Sequence, residues 1–567
     1  METQFKTLED VVAHVASEPR FALEEVEIRN IRLRTFANAA RHISELMVKC
    51  EEYGDAEFIV FDAERYTFTD FRSQVNRLAH VLKTQFGISK GDRVAICMRN
   101  YPEYLTAIMA IASLGGVIVF LNSWWTTQEL EYGFTDSEAK LVFTEASVAK
   151  RMTPFTKRLG ITQIFVRSED APQNAYGRLM EDAAEATVPE VNIDTDDDMA
   201  IMYTSGSTGH PKGVVLTHRG AISALMSWLF TERIAELMGM MPDMPKDANG
   251  ADLPSCSLVT TPLFHVSATH ACFFAGLAMG TKLVIMNIWD AERAVNLIEQ
   301  ENVTRFFGVP TMSADILETA ARLGKTLDTL RNMDAGGAKR PASQVEKLAK
   351  AFPHAEPRSG FGLTETNALG LGIGGADYLN QPGAAGRPYP PLQDIRIIDD
   401  AGKELPIGEV GELILKSAAN MRCYLNKPEA TAEAIKDGWL YTGDLATIDA
   451  EGFVTIVDRK KDIIIRGGEN ISCLEVDAAI YLHPSVFEAA VFSVPHERLG
   501  EVVGAAAVLR PGHTLTQQEL QDFLRTHLAA FKVPEKIWFR DELPRGGTEK
   551  IDRRALRADY LDQASII

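Results

Sequence analysis

Short, continuously apolar segments alternate with helical segments along most of this chain of 567 residues. β-branched residues are common in the apolar segments, and the segments between them repeat apolar residues every three to four positions. Strands that are apolar on both faces form parallel sheets covered by helices on both sides. The sequence therefore predicts an α/β fold with more than one mainly parallel sheet. The segments interpreted as strands are RVAICM (93–98), VIVFL (117–121), KLVFT (140–144), SLVTTP (257–262), KLVIM (282–286) and TRFFGV (304–309).

The residue pattern of the sequence changes near residue 380, where prolines and glycines interrupt the helical periodicity. Segments such as DIRIID and GELILK then alternate apolar and polar residues, which is typical of antiparallel strands. A chain this long exceeds one hydrophobic core. We therefore predict a large N-terminal domain, 1–460, and a small α+β C-terminal domain, 461–567. Residues 371–457 are predicted to form a β-rich, barrel-like subdomain of the large domain.

Charge and composition limit the partners of the chain. Its formal net charge of −20 argues against nucleic acids and anionic membranes as main partners. The six cysteines are dispersed without a CxxC pair, so we expect neither a zinc site nor a disulfide framework. The N-terminus has no signal-peptide core, and glycines interrupt the apolar run Leu105–Leu121, which favours a buried helix and strand over a membrane span. We expect a cytoplasmic protein; peripheral membrane association and a homodimer stay open.

One glycine-rich loop, YTSGSTGHPKG at 203–213, has the composition of an anion site. Glycines allow backbone N–H groups to turn toward a ligand, and hydroxyl groups donate further hydrogen bonds. The loop is not a Walker A motif, because its lysine stands between Pro211 and Gly213, and it lacks a GxGxxG pattern. The apolar segment MAIMY before it and the helical run from Thr217 predict a strand–loop–helix arrangement suited to phosphate. A flexible surface turn is the alternative.

Six further motifs follow this loop in order along the chain. They are PLFH (262–265), GGAKR (336–340), GFGLTET (360–366), GWLYTGDLA (438–446), DRKKDIIIRGGEN (458–470) and LPRGGTEKIDRRALR (543–557). Together with the loop, the series resembles that of the adenylate-forming superfamily, which includes acyl-CoA synthetases, adenylation domains of peptide synthetases and beetle luciferase. The resemblance implies that a carboxylic acid and ATP give an acyl-adenylate and pyrophosphate, after which a thiol, usually that of coenzyme A, displaces AMP.

The resemblance implies which residues bind the phosphates and the metal. The loop would hold the β- and γ-phosphates that leave as pyrophosphate, and Thr364 would contact the α-phosphate. Glu365 and Thr208 would bind Mg²⁺, a hard cation that takes few protein oxygens beside those of the phosphates. The loop residues assigned to ATP are Thr204, Ser205, Gly206, Ser207, Thr208, Gly209 and Lys212.

The resemblance also implies a nucleoside site. Asp444 would bind both ribose hydroxyls, since a carboxylate offers two acceptor oxygens to a vicinal diol. Arg459 would be a second ribose contact. From the residues alone, Phe361 also fits a hydrophobic core, and Asp444 also fits the cap of a turn. The adenine slot implied by the resemblance is lined by Gly336, Gly337, Ala338, Phe361 and Gly362.

The resemblance makes Lys550 the catalytic lysine, which would bridge the acyl carboxylate and the α-phosphate during adenylation. A lysine on a flexible loop suits this role as a mobile point charge. The preceding residue is Glu549, where the family has glycine. Lys461 would be the hinge about which the mobile small domain swings between the two steps. Gly467 and Gly468 would then border a tunnel for the pantetheine of coenzyme A.

The acid pocket is the least specified part of the sequence. Acetyl-specific members of the superfamily have tryptophan at the position of Gly362, so glycine there predicts an open pocket. His265 matches a residue that flanks the acid site, and we assign it a catalytic role, although it also fits a core histidine; Gly308 adds space. An open apolar pocket favours a medium- or long-chain fatty acid. The alternatives are an aryl- or steroid-side-chain acid, and transfer of the acyl group to a carrier protein instead of CoA.

Overall fold

The computed structural model describes residues 7–168, 174–181, 183, 187, 190–204, 211–466, 469–545 and 550–564. These residues form two large, mainly parallel sheets, one antiparallel sheet and a separate C-terminal sheet. The predicted α/β class is therefore confirmed. A small two-stranded sheet joins Leu23–Ile28 to Ile31–Phe36 near the start of the chain.

A nine-stranded sheet contributes most of the candidate site. Its central pairings are parallel, whereas the outer strands at both ends pair antiparallel. The strands predicted near 257, 282 and 304 are confirmed in this sheet. In spatial order its strands are Arg387–Pro388, Gly370–Gly374, Glu356–Gly362, Asn332–Gly336, Arg305–Gly308, Cys256–Val259, Lys282–Ile285, Glu57–Phe61 and Glu64–Thr67.

A seven-stranded sheet is built from the first half of the chain, with one short strand from further on. The apolar run at 105–121 forms the fully buried helix Pro102–Ser113 and the buried strand Val117–Phe120, as predicted. In spatial order the strands are Cys423–Tyr424, Lys212–Thr217, Asp198–Thr204, Val117–Phe120, Arg93–Cys97, Leu141–Thr144 and Thr162–Phe165.

The sequence predicted that the glycine-rich loop connects a strand to a helix, and this prediction is wrong. The loop connects two antiparallel strands, Asp198–Thr204 and Lys212–Thr217, in which Thr204 pairs with Lys212. The residues after the loop, GVVLT, are β-branched and apolar, and they extend the sheet instead of starting a helix. Thr217 caps the helix His218–Leu237, because its hydroxyl accepts a hydrogen bond from Gly220 N.

Two smaller sheets follow. The first contains Asp394–Ile398, Gly411–Lys416, Trp439–Ile448 and Ile435–Lys436 in this order, and Val454–Arg459 pairs with its longest strand. Among the described residues its pairings do not close on themselves, so it is an open antiparallel sheet rather than a barrel. The C-terminal sheet contains Glu469–Ile471, Ile464–Arg466, Gly500–Leu509 and Val486–His496, with Lys536–Phe539 added in parallel to Gly500–Leu509.

Helices cover both large sheets and both faces of the C-terminal sheet, where Arg553–Ala564 packs on the face opposite to Cys473–Ile480 and Gln517–Arg525. No helix within the described ranges is long and apolar enough to cross a membrane. The short helices are 3₁₀ at Pro19–Phe21, Ile43–Met47, Thr364–Thr366 and Ala530–Lys532, and π at Thr269–Phe274. The α-helices are Leu8–Ser17, Val48–Tyr53, Phe68–Thr84, Pro102–Ser113, Thr127–Ser137, Ala146–Leu159, Tyr176–Glu181, His218–Leu237, Val266–Ala268, Ala275–Met279, Ala291–Gln300, Pro310–Leu323, Ala342–Ala351, Gly375–Asn380, Pro428–Ala434, Cys473–Ile480, Gln517–Arg525 and Arg553–Ala564.

Candidate active site

A connected cavity of about 2840 Å³ lies along the carboxyl ends of the parallel strands and reaches the C-terminal domain. This is the edge of an open α/β sheet at which ligands bind. The cavity brings together most residues that the sequence assigned to the site, although they span most of the chain. Those at its wall are Thr204, His265, Gly336, Gly337, Ala338, Phe361, Gly362, Thr364, Glu365, Asp444, Arg459, Lys461 and Lys550.

Eight predicted or discussed positions lie outside the described residues, so the structure gives no account of them. Five belong to the proposed phosphate and metal sites, one precedes the predicted catalytic lysine, and two belong to the proposed CoA site. They are Ser205, Gly206, Ser207, Thr208, Gly209 and Glu549, and then Gly467 and Gly468.

Asp444 is buried in the cavity wall with one carboxylate oxygen available to a ligand. It lies opposite Arg459 on the paired strand, and its Oδ1 is 3.1 Å from the Arg459 Nε. Oδ2 has no hydrogen-bond partner in the described part of the chain, although the residue is only 2% exposed. Burial raises the pKa of Asp444. A buried acceptor of this kind needs a donor, and a ribose hydroxyl in the cavity would supply one.

Glu365 is held in the cavity by a tyrosine that the sequence did not single out. The Tyr424 hydroxyl donates to Glu365 Oε1 at 2.7 Å. The Lys212 ammonium lies 4.7 Å from the centre of the Tyr424 ring, a cation–π distance. Tyr424 therefore links the lysine at the end of the glycine-rich loop to the carboxylate assigned to magnesium.

The donor set is compatible with Mg²⁺ only if the ligand supplies most of the oxygens. Within the described ranges no group of three or more His, Cys, Asp or Glu side chains is placed to hold a metal. Magnesium commonly binds through one or two carboxylates together with substrate phosphates and water. Glu365 fits such a site, and there Mg²⁺ would neutralise phosphate charge.

The segment Thr364–Thr366 is held in place by a buried polar pair, Asn367 and His270. Asn367 follows it with a positive φ of 52° and no exposed surface, and its Nδ2 donates to Ala419 O at 2.7 Å. Its Oδ1 lies 3.0 Å from His270 Nε2, in the π-helical turn Thr269–Phe274. Burial lowers the pKa of His270 to about 3, so the ring is neutral. π-helical turns are frequent at functional sites, and this one positions the residues that bear Glu365.

In the GGAKR segment Lys339 is exposed, whereas the side chain of Arg340 turns into the protein. The Lys339 ammonium donates to Ile456 O at 3.0 Å, and desolvation of the ammonium lowers its pKa. Arg340 is 2% exposed and donates to the backbone carbonyl of Met333 at 3.1 Å. The backbone of Gly337 stays at the cavity, with a positive φ of 76° that favours glycine.

Lys550 lies inside the cavity, where the role predicted for it would require it to be. A Cβ atom at Gly337 would be 3.1 Å from its Cε and 3.5 Å from its Nζ. Protein atoms surround the side chain, although part of it reaches the solvent that fills the cleft. This burial, followed by the charge of Arg459, lowers the pKa of Lys550 to about 8.

We expect a basic limb in the pH dependence of adenylation. Because the pKa of Lys550 is lowered to about 8, its charge is present below that pH and lost above it. The kcat/KM for pyrophosphate release reports the free enzyme, and it should fall as the pH rises through about 8. Lys550→Arg keeps its charge at every pH used and should lack this limb. An identical limb in the arginine variant would assign it to another group.

His265 and the two glycines of the predicted acid pocket have different surroundings. His265 begins the helix Val266–Ala268, and its ring centre is 4.4 Å from that of Phe264. Gly308 is not part of the cavity wall: a Cβ there would point at Phe306, 2.6 Å from the ring. We expected Gly308 to add space for the acid, but its surroundings indicate a packing role instead.

Gly362 lines the cavity, but not for the reason that the sequence suggested. A Cβ atom at this position would lie 2.2 Å from the carbonyl oxygen of Ala368. Glycine is required there because the chain folds back closely on itself. A side chain at Gly360, two residues earlier on the same strand face, would instead meet only Leu371 O at 3.8 Å. Gly360 is therefore the glycine whose missing side chain leaves space.

The cavity extends from the nucleotide residues along one face of the nine-stranded sheet. Asp334 pairs with Arg358, and Gly336 with Gly360, so these four residues share the face. The glycines lie toward the carboxyl ends of the strands and the charged residues toward the start. The side chains of Arg305, Asp334, Arg358 and Glu232 all line this remote end. Sequence reasoning missed them because each looks like an ordinary charge on its own strand or helix.

Few polar contacts cross the segment that contains Lys461. Asp458 Oδ2 accepts hydrogen bonds from Ser472 Oγ at 2.9 Å and from Leu474 N at 3.2 Å. Elsewhere, Arg510 of the C-terminal domain forms an ion pair with Glu318 of the large domain. The hinge assigned to Lys461 lies between the strands Val454–Arg459 and Ile464–Arg466, as does the predicted domain boundary. Both assignments stay predictions.

Comparison with known proteins identifies the family of this chain. Residues 46–425 match the model of the AMP-binding enzyme family, and residues 475–550 match that of the AMP-binding enzyme C-terminal domain. The chain belongs to the AMP-binding enzyme family, with both of its characteristic domains.

Curated relatives of the chain act on different acids according to their names. A feruloyl-CoA synthase from Amycolatopsis sp. is 34% identical over 501 residues, covering 87% of this chain and 94% of the relative. A long-chain-fatty-acid–CoA ligase from Bacillus subtilis is 31% identical over 546 residues, covering 91% and 93%.

A solved structure with the same fold is o-succinylbenzoate coenzyme A synthetase from Bacillus subtilis, in complex with ATP and magnesium ion. Its sequence is 28% identical and its TM-score is 0.77, with 90% of this chain and 98% of that chain covered.

Proposed function

We propose that this chain is an AMP-forming acyl-CoA ligase that activates a ring-bearing carboxylic acid. The carrying observation is that Lys550, Asp444 and Glu365 meet in one cavity that continues along the sheet past Gly360. ATP, Mg²⁺ and coenzyme A are the expected co-substrates and metal, in keeping with the family and with the ATP and magnesium bound by the B. subtilis synthetase.

In the first step the acid's carboxylate attacks the α-phosphorus of ATP, and pyrophosphate leaves. The chain contributes position and charge, because the substrate itself is the nucleophile. Asp444 and Arg459 would orient the ribose, and Thr364 and Lys550 would lie at the α-phosphate. In the second step the thiol of coenzyme A attacks the acyl carbon and AMP leaves.

The wall of the acid cavity supports an acid with a polar far end, such as a substituted ring, over an unsubstituted alkyl chain. Arg305, Arg358 and Glu232 border its far end, and an alkyl chain would remove water from these charged groups without replacing its hydrogen bonds. The relative at 34% identity is named for feruloyl-CoA, which has a ring. This reverses the order of candidates that the sequence favoured.

A long-chain fatty acid is the second candidate. It is supported by the relative named for long-chain fatty acids. Transfer to a carrier protein instead of CoA remains a rival for the second step.

The test is a panel of acids assayed for pyrophosphate release with ATP and Mg²⁺, with and without CoA. Cinnamates, benzoates and fatty acids of graded length belong in the panel. We expect AMP as the nucleotide product, consumption of CoA thiol, and higher kcat/KM with ring-bearing acids than with alkyl acids of similar length. ADP as the product, or turnover without magnesium, would contradict the proposed reaction.

A further inference from the structure

We propose that Arg305, Arg358 and Glu232 form a subsite that binds an uncharged oxygen group of the substrate, a hydroxyl or a carbonyl, remote from its carboxyl. The inference rests on the proposed function, since it names a chemical feature of the acid that the ligase activates. All three residues line the cavity, and the two arginines precede the glycines that lie toward the carboxyl ends of the strands.

The two guanidinium groups have hydrogen-bonding capacity to spare. Arg305 Nε donates to Asp334 Oδ2 at 2.6 Å, and the Arg305 side chain is still 34% exposed to the cavity. Arg358 Nη1 makes one long hydrogen bond, 3.3 Å to Asn332 Oδ1. The structure gives no further side-chain hydrogen bond from either residue to any described residue. Each guanidinium has five N–H donors, so both can donate to an oxygen in the cavity.

Glu232 supplies an acceptor beside these donors. It lies on the helix His218–Leu237, which faces the sheet across the cavity, and burial raises its pKa. Its carboxylate is within electrostatic range of both Arg305 and Arg358. No described residue forms a hydrogen bond or an ion pair with it. A hydroxyl group can accept from an arginine and donate to this glutamate at once.

The charges of the cluster favour a neutral ligand group. Arg305 and Arg358 carry two positive charges, and Asp334 and Glu232 carry two negative charges, so the set is balanced. A second carboxylate on the acid would add an uncompensated negative charge close to two others in a site of low dielectric. A methyl group would leave the donors and the acceptor desolvated and unpaired. A hydroxyl or carbonyl satisfies them without changing the charge.

The spacing sets the length of the substrate. Arg358 precedes Gly362 by four residues on one extended strand, which corresponds to about 13 Å. The polar oxygen should therefore lie on the order of 10 Å from the reacting carboxyl. Hydroxycinnamates and ω-functionalised ten-carbon acids have this reach and serve as probes.

The experiment compares acids that differ only at the far end. One series is cinnamate against 4-hydroxycinnamate, and the other is decanoate, 10-hydroxydecanoate and decanedioate. The kcat/KM for pyrophosphate release is measured for each with ATP and Mg²⁺. We expect the hydroxylated acid to exceed its unsubstituted partner by about 10- to 100-fold in at least one series, the scale of hydrogen bonds to charged groups. Decanedioate should be a poorer substrate than 10-hydroxydecanoate.

Two variants assign the preference to the cluster. Glu232→Gln and Arg358→Met should each lower the ratio of hydroxylated to unsubstituted acid by about tenfold, because each removes one charged hydrogen-bonding partner. Neither breaks a strong internal contact, so both should fold. The matched control is Glu236→Gln, one helical turn further on, where the glutamate pairs with Arg233 at the surface. It should leave the ratio as in the parent.

Separate outcomes overturn the inference and the proposed function. Equal or higher kcat/KM with the unsubstituted acids, or ratios that neither variant changes, would overturn the subsite while the ligase reaction stands. A preference for decanedioate would overturn the assignment to an uncharged group. If no acid of the wider panel releases pyrophosphate, the proposed function fails and the subsite with it.

Discussion

Alanine in place of Lys550 should slow formation of the acyl-adenylate by two or more orders of magnitude, on the order of the loss of one transition-state electrostatic contact. The lysine lies in the cavity beside Gly337, where it can share the negative charge of the carboxylate, the α-phosphate and the leaving pyrophosphate. Its side chain is partly exposed to the cleft, so its removal should not unfold the domain. Single-turnover pyrophosphate release measures the step.

The second half-reaction should survive the same substitution. Given ready-made acyl-adenylate and CoA, Lys550→Ala should form the thioester at nearly the parental rate, because in the predicted mechanism the small domain would by then have turned about Lys461. Lys461→Pro should show the opposite pattern, since a fixed φ restricts rotation at the hinge. Lys536→Ala, an exposed lysine of the same domain, is the matched control. Equal loss of both half-reactions in both folded variants would refute the two-orientation mechanism.

Tryptophan at Gly360 should lower kcat/KM for ring-bearing and long acids by about 100-fold or more. The kcat/KM for acetate or propionate should stay as in the parent. The position is on the cavity face of its strand, and a Cβ there meets only Leu371 O at 3.8 Å. The indole would therefore extend into the space that the acid needs, without moving the backbone. Activity against acid length, with ATP affinity measured in parallel, tests the prediction.

Two other positions make this result specific. Gly177→Trp adds the same side chain at an exposed site with no atom within 4 Å of its Cβ, and it should leave acid preference as in the parent. Tryptophan at Gly362 is a poor test, because its Cβ would collide with the Ala368 backbone and displace the segment of Thr364 and Glu365. An unchanged length preference in Gly360→Trp would show that the acid lies elsewhere.

The sequence predicted the fold class and the nucleotide end of the cavity because both depend on local patterns. Continuous apolar strands such as Val117–Phe120 fixed the parallel sheets, and GELILK matches its strand, Gly411–Lys416, residue for residue. Motifs around Glu365, Asp444 and Lys550 are contiguous in sequence, so one chain sufficed to find them. The fold then placed all three at one cavity.

What the sequence could not predict depends on contacts between distant segments. Tyr424 meets Glu365 across 59 residues, and Arg305 meets Asp334 across 29. The strand Lys212–Thr217 was missed because its last residue, Thr217, is also the N-cap of the next helix. One local signal was available: in TRFFG, Arg305 shares a strand face with Phe307, so a charge was bound to face the interior or a cavity.

The lowered pKa of Lys550 also bears on the timing of the catalytic cycle. An ammonium partly surrounded by protein and beside Arg459 is less stable than one in open water, so the lysine lies in the cleft at an energetic disadvantage that an anion relieves. Among the described residues, the polar contacts that hold this orientation include the hydrogen bonds to Asp458 and the ion pair between Arg510 and Glu318. In the proposed reaction the polyphosphate supplies the anion, and the departure of pyrophosphate takes most of it away. Release of pyrophosphate would thus set the order of the two steps, since it would favour rotation of the domain before the thiol binds.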